Sequence, residues 1–170
     1  MPTNFYMLFV SALIPLIIGA IYYNPKVVGS AWMKTNGFTD KDLEGANMPL
    51  IFGLTFVFGI FISLMFSFIV IHQTATFSML MPNIMESGSA EMIAFNDLMT
   101  QYGGNFRTFG HGAGHGVMFT VLFVLPLIAI NALFERRGWK YIFIHTGFWL
   151  INLALMGGLL CATLVYPVLQ

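Results

Sequence analysis

Charge is what this sequence has least of. Asp, Glu, Lys and Arg make up 8% of its 170 residues, against roughly 25% in an ordinary soluble domain. Hydrophobic residues make up 58%, so a water-exposed fold would lack the polar groups to cover its surface, and the expected solvent is lipid. Neither sign is in excess. Seven basic and seven acidic residues leave no basic surface to neutralise phosphates, which excludes nucleic acid as a partner. Cysteine occurs once, as Cys161, which excludes a disulfide within the chain. Lying in an apolar run, it reads as a small buried hydrophobe. A basic leader is missing as well. Met1-Pro2-Thr3-Asn4 is uncharged and no small-residue cleavage pattern follows, so the first apolar run is expected to persist as a span. Phosphate-binding glycine loops, nucleophile elbows and Ser–His–Asp patterns are absent too.

What the chain does contain is four apolar segments of bilayer length, about 20 residues each. They run from about 5 to 23, 49 to 72, 108 to 134 and 139 to 166. Pro15 is expected to kink the first and Pro126 to interrupt the third. Pro49 suits the first turn of the second helix, which is expected to project past the membrane toward Met81. The fourth is expected to end before Pro167. Only Glu135-Arg136-Arg137-Gly138 separates the third from the fourth, which forces an antiparallel hairpin. The pattern predicts an all-α fold, a single transmembrane domain over 1–170. It is a membrane-embedded four-helix bundle with a short amphipathic helix, Gly88 to Tyr102, lying on its outer face.

Basic residues set the expected orientation. With four spans, Lys26, Lys34, Lys41, Arg136, Arg137 and Lys140 share one side and Arg107 stands alone on the other. The positive-inside rule puts loop 24–48 and the hairpin in the cytoplasm, and segment 73–107 and both termini outside a bacterial inner membrane. Tyr22, Tyr23, Trp32, Trp139 and Tyr141 fall near the cytoplasmic boundary, where aromatic belts sit. Gly59, Ser63 and Ser67 repeat every four residues on the second span, and Gly157-Gly158 interrupts the fourth. Both are small-residue surfaces that let another backbone approach.

The stretch Gly19-Ala20-Ile21-Tyr22-Tyr23-Asn24-Pro25, followed by Gly29-Ser30-Ala31-Trp32-Met33, resembles the signature of a bacterial membrane family catalogued as domain of unknown function 1761. Leu133-Phe134-Glu135-Arg136-Arg137 and Leu155-Met156-Gly157-Gly158 fit its second half. The resemblance implies a compact four-span protein and supplies no activity and no site residues.

Histidines carry what chemistry the residues suggest. His72 closes the second span and His111 and His115 open the third, all at one expected depth. A four-residue spacing puts the last two on one helix face, where they can grip an ion with His72 as third ligand. Glu86, Glu91 or Asp97 on the overlying segment would complete the shell. Zinc suits this set. Copper is the alternative, because Met79, Met81, Met85, Met92 and Met99 crowd the same segment, and a haem between two histidines is another. The plain reading of these histidines is interfacial polar residues bonded to backbone and water. The zincin pattern is missing, since Gly112 stands where its glutamate would be. Near the opposite boundary, Asn131, Glu135 and His145 form an expected polar clasp across the hairpin, and Asn152 is expected to bond across helices.

Three functions follow. The first is an accessory or self-associating subunit of a membrane complex, with the glycine and serine stripes as contact surfaces. The second is an outer-face metal or haem protein built on His72, His111 and His115. The third is a small-molecule permease subunit, for which Asn131, His145 and Asn152 provide a thin polar path and the uncharged spans provide no coupling acid.

Overall fold

Apolar runs in lipid must pair their own backbone N–H and C=O groups, and a helix does this within one segment. The computed structural model describes residues 2–166, and among them every regular element is helical. Pro167 and the extreme termini lie outside the described residues.

The first apolar run forms α1 (Tyr6–Ala12) and α2 (Ile14–Tyr22), broken at Leu13, two residues before Pro15. Asn24 then opens a π turn, Pro25–Gly29, by accepting the Lys26 N–H at 2.9 Å. A Cβ at Gly29 would collide with the Tyr23 carbonyl, so this turn requires glycine. It leads into α3 (Ser30–Asn36), bent by 57° from Tyr6–Tyr22. Thr39 opens α4 (Asp40–Leu43) with a capping box, the Asp42 carboxylate accepting both the N–H and the hydroxyl of Thr39.

Asn47 caps α5 (Met48–Val70). This helix stops at Val70 instead of projecting outward, because Ile71 turns extended (φ −114°, ψ 97°) and buries its side chain completely. The chain restarts as α6 (Gln73–Met79), passes a short 3₁₀ turn at Asn83–Met85, and forms α7 (Ala90–Tyr102), capped by Ser89. Helix α8 (Phe109–Phe119) and α9 (Leu125–Phe134) are joined by a π turn, Thr120–Val124, immediately before Pro126. Proline leaves a carbonyl of the preceding turn without its N–H partner, and a local π adjustment absorbs that defect. Last comes α10 (Trp139–Thr163), ending three residues earlier than the sequence suggests.

Three helical stretches, Met48–Val70, Phe109–Phe134 and Trp139–Thr163, are long and apolar enough to cross a membrane, with mean hydropathies of 2.3, 2.5 and 1.6. The bent pair Tyr6–Tyr22 plus Pro25–Asn36 makes a fourth if it is counted as one span. The chain is thus a helical membrane bundle with three or four candidate spans.

Helix α10 lies at the centre and packs against α8, α5, α2 and α1. The core joins Phe66, Val70 and Ile71 to Leu153, Met156, Leu160, Cys161 and Leu164. The closest approach is between α8 and α10. A Cβ at Gly112 would strike the Gly157 carbonyl oxygen, one at Gly116 would strike that of Leu153, and one at Gly158 would lie 2.6 Å from the Phe109 ring. On the other side, a Cβ at Gly59 would lie 2.8 Å from the Ala12 carbonyl oxygen, and Ser63 and Ser67 are buried beside it. The small-residue stripes, expected as contact surfaces for a partner, are therefore occupied by helices of the same chain. The outward surface is apolar, with Leu122 70% and Phe134 88% exposed.

At one rim Asn4 meets the end of α10. Asn4 donates to the Thr163 carbonyl at 2.7 Å and accepts the Val165 N–H at 2.8 Å. At the opposite end Tyr22 donates to the Ile144 carbonyl at 2.9 Å, beside the basic hairpin.

Candidate metal centre

The break in α5 determines where His72 points. Two residues beyond the helix end, it begins the next turn with helical dihedrals (φ −60°, ψ −29°). The carbonyls freed by the break find new donors. The Thr74 hydroxyl donates to Ile71 at 2.6 Å and lies 3.3 Å from the Phe68 oxygen, and the Cys161 thiol lies 3.4 Å from the Val70 oxygen. His111 and His115 sit on the first turns of α8, whose start is fixed by Thr108 accepting the His111 N–H at 3.2 Å.

These elements bring three ring nitrogens to one point. The Nε2 atoms of His72 and His111 are 3.0 Å apart, those of His111 and His115 3.0 Å, and those of His115 and His72 3.3 Å. Hydrogen bonding alone cannot satisfy such a triangle. Each Nε2 carries either a hydrogen or a lone pair. Among three, two must be alike, so one side always sets hydrogen against hydrogen or lone pair against lone pair. A cation that accepts all three lone pairs removes the conflict. At a metal–nitrogen distance of about 2.0–2.1 Å, a tetrahedral angle calls for nitrogens about 3.3 Å apart and a right angle about 2.9 Å. The observed separations fall in that interval, so His72, His111 and His115 could hold one ion together and supply three of its ligands.

Three residues that sequence reasoning missed hold the surroundings in place. The Phe106 ring is tilted 33° against His111 at 5.1 Å and meets His72 edge-on at 6.0 Å. Its backbone is left-handed (φ 62°), which is unfavourable outside glycine and asparagine, and flanking bonds fix it there. On one side Gln73 donates to the Gly103 and Asn105 carbonyls at 3.0 and 3.1 Å. On the other, the Arg107 guanidinium donates to the Cys161 and Leu164 carbonyls at the end of α10, where a cation also opposes the helix dipole. The available signal was that Arg107 is the lone cation of segment 73–107 and follows an aromatic.

Two hollows flank the triad. One, of about 310 Å³, is lined by Gly110, His111, Gly114, His115 and Met118. The other, of about 220 Å³, is bounded by His72, Gln73, Leu98, Met99, Tyr102 and Phe106 among others. A Cβ at Gly110 or Gly114 would meet nothing within 4 Å. The glycine run thus serves two sides of α8, with Gly112 and Gly116 packed on α10 and Gly110 and Gly114 beside open space. His115 Nδ1 is buried without a protein partner.

The acids are not part of this cluster. Among the described residues, the histidines form a ligand group with no Glu or Asp in it. Helix α7 turns Met92 and Phe95 inward, Phe95 against Phe77 at 5.8 Å, and this carries Asp97 to the exposed side. Glu86 is exposed, and Glu91 accepts from Asn83 at 3.0 Å, a bond that holds its carboxyl below the usual range. The methionines disperse. Met79, Met81 and Met85 are exposed, Met92 is buried, and Met99 borders the second hollow.

At the hairpin, the Glu135 N–H donates to the Asn131 carbonyl at 2.9 Å along the helix end, but among the described residues no side-chain hydrogen bond joins Asn131, Glu135 and His145. Asn131 is exposed on α9, Glu135 lies 3.8 Å from Arg137, and the His145 ring packs on Tyr141 at 4.2 Å with its Nε2 buried and unpartnered. Asn152 donates within its own helix to Phe148 at 2.7 Å, not across helices.

A family model described as "Protein of unknown function (DUF1761)" matches residues 6–161. Comparison with curated proteins and with solved structures finds no match.

Proposed function

The chain belongs to the DUF1761 family, whose description carries no activity, and we propose from the geometry that it is a membrane protein holding one transition-metal ion on His72, His111 and His115. The observation that carries this reading is the triangle of Nε2 atoms at 3.0, 3.0 and 3.3 Å. No arrangement of imidazole hydrogens satisfies it, and one cation does.

Three neutral nitrogens with an open side resemble reactive metal sites more than closed structural ones, which surround the ion with four protein ligands. Zinc or another first-row divalent ion fits the nitrogen set and the angles. Copper has less support, because the thioethers do not converge on the triad. A haem has none, because its macrocycle would need to lie between two axial nitrogens, and nitrogens 3.0 Å apart leave no room. When bound, such an ion polarises an oxygen ligand as a Lewis acid. The chain's part is to fix three nitrogens, cover one flank with Phe106 and leave room beside Gly110 and Gly114.

For the setting, we place the chain in a bacterial inner membrane with four spans, counting the bent first pair as one. The six-residue basic side faces the cytoplasm and the histidine rim faces outward. An accessory or self-associating role loses the stripes that suggested it, since α1, α5, α8 and α10 cover them. Lipid accounts for the remaining apolar surface.

The test is metal analysis of untagged protein, purified without chelator and reconstituted with zinc. About one ion per chain is expected for the native sequence, and under a tenth of that for His111→Ala and His115→Ala. Failure of the native protein to hold a stoichiometric ion would overturn the reading.

A further inference from the structure

We propose that the open coordination position of the His72–His111–His115 ion selects a small anion, an oxygen or nitrogen donor of single negative charge, entering through the hollow beside Gly110 and Gly114. The inference rests on the three-histidine reading and goes beyond it by naming the class of ligand. The first ground is charge. Three imidazoles bind as neutral ligands, and no carboxylate among the described residues belongs to the ligand group. A divalent ion would therefore keep its full double charge.

The second ground is that the acids of segment 73–107 are not placed to coordinate the ion. Glu91 is engaged with Asn83, and Glu86 and Asp97 stay out of the ligand group. The residue adjoining Phe106 is Arg107, a further positive charge tied to the end of α10. The third ground is shape. Gly110 and Gly114 present bare backbone to a hollow of about 310 Å³ that has His111 and His115 in its wall. This leaves room for a ligand of several atoms on the side of α8 away from its contact with α10. An ion with uncompensated charge in such a place draws an anion in preference to an equally good neutral donor.

The experiment uses full-length protein in detergent, loaded with cobalt(II), whose visible spectrum reports its ligands. Azide and imidazole are titrated in parallel, and the ratio of their affinities is compared with the same ratio for cobalt ion in buffer. The expected result is a shift toward azide of at least tenfold. Gly114→Asp introduces a carboxylate where a Cβ meets no atom within 4 Å, and it should weaken azide binding at least tenfold while cobalt stays bound. Phe106→Asp serves as a second variant, at a left-handed position where Asp is better tolerated than most residues. Acetate, titrated alongside, separates a carboxylate-bearing ligand from a triatomic anion, and saturable binding of either supports the class. Cobalt bound with the selectivity of the ion in buffer would overturn the anion inference and leave the metal site standing. Failure of cobalt to bind the native chain would overturn the site itself.

Discussion

At the scale of single residues, the glycines of α8 do two different jobs, and substitution separates them. Ala at Gly112 or Gly116 would drive a Cβ into a carbonyl of α10. Forced contacts of this kind typically cost about 1–3 kcal/mol, so either variant should lower the midpoint of detergent or thermal unfolding. Ala at Gly110 or Gly114 meets open space and replaces a poor helix former, which should raise stability by up to about 1 kcal/mol. Equal destabilisation at all four positions would contradict this division. Arg107 is the other telling residue. Arg107→Met removes the donors to Cys161 and Leu164, a loss of about 1–3 kcal/mol, and releases the segment that holds Phe106 against His111. The sequence offered the histidine spacing and the isolation of Arg107. It did not offer Phe106, because an aromatic in a polar loop gains its role only from the ring it meets.

At the scale of elements, caps and breaks decide the geometry. Thr108 starts α8 in the register that carries His111 and His115 toward His72, so Thr108→Ala should cost about 1 kcal/mol and loosen metal binding measurably. In the loop between α3 and α5, the bonds from the Thr39 hydroxyl and N–H hold the Asp42 carboxyl below its ordinary value. A carboxyl lowered in the fold contributes stability above its unfolded pKa, and loses that contribution as pH falls through the folded one. Thr39→Val should therefore move the Asp42 titration upward by NMR and make α4 fray at a higher pH. Proline positions were legible as disturbances at α2 and α9, although their form as a break at Leu13 and a π turn was not. The stop of α5 at Val70 was not legible either. Nothing in Val70-Ile71-His72-Gln73 is a helix breaker, and the chain turns there because burying Ile71 in the core outweighs continuing the helix.

At the scale of the whole molecule, the ion would tie two parts of the chain that otherwise touch little at this rim, the α5–α6 junction and α8. A ligand bound only by the folded state stabilises by about 2.7 kcal/mol at a hundred times its dissociation constant. Saturating zinc should thus raise the unfolding midpoint of the native protein and leave His115→Ala unmoved. Orientation is tested by a single cysteine in a Cys161→Ala background. A membrane-impermeant thiol reagent should modify a cysteine at Glu86 in permeabilised outer-membrane cells and spare one at Lys34 until the inner membrane is opened. The reverse pattern would invert the proposed topology.

The sequence alone determined the solvent, the helical class and the approximate position of each apolar segment, because low charge and long apolar runs are local facts that lipid enforces locally. It also determined that two histidines would share a helix face. The tertiary structure alone decided that the small-residue stripes serve the chain's own helices, that the acids of segment 73–107 stay out of the ligand group, and that the third imidazole arrives. Each of these depends on how one helix is rotated against another. That rotation is set by packing against α10, a sum of many weak contacts that no short stretch of sequence contains.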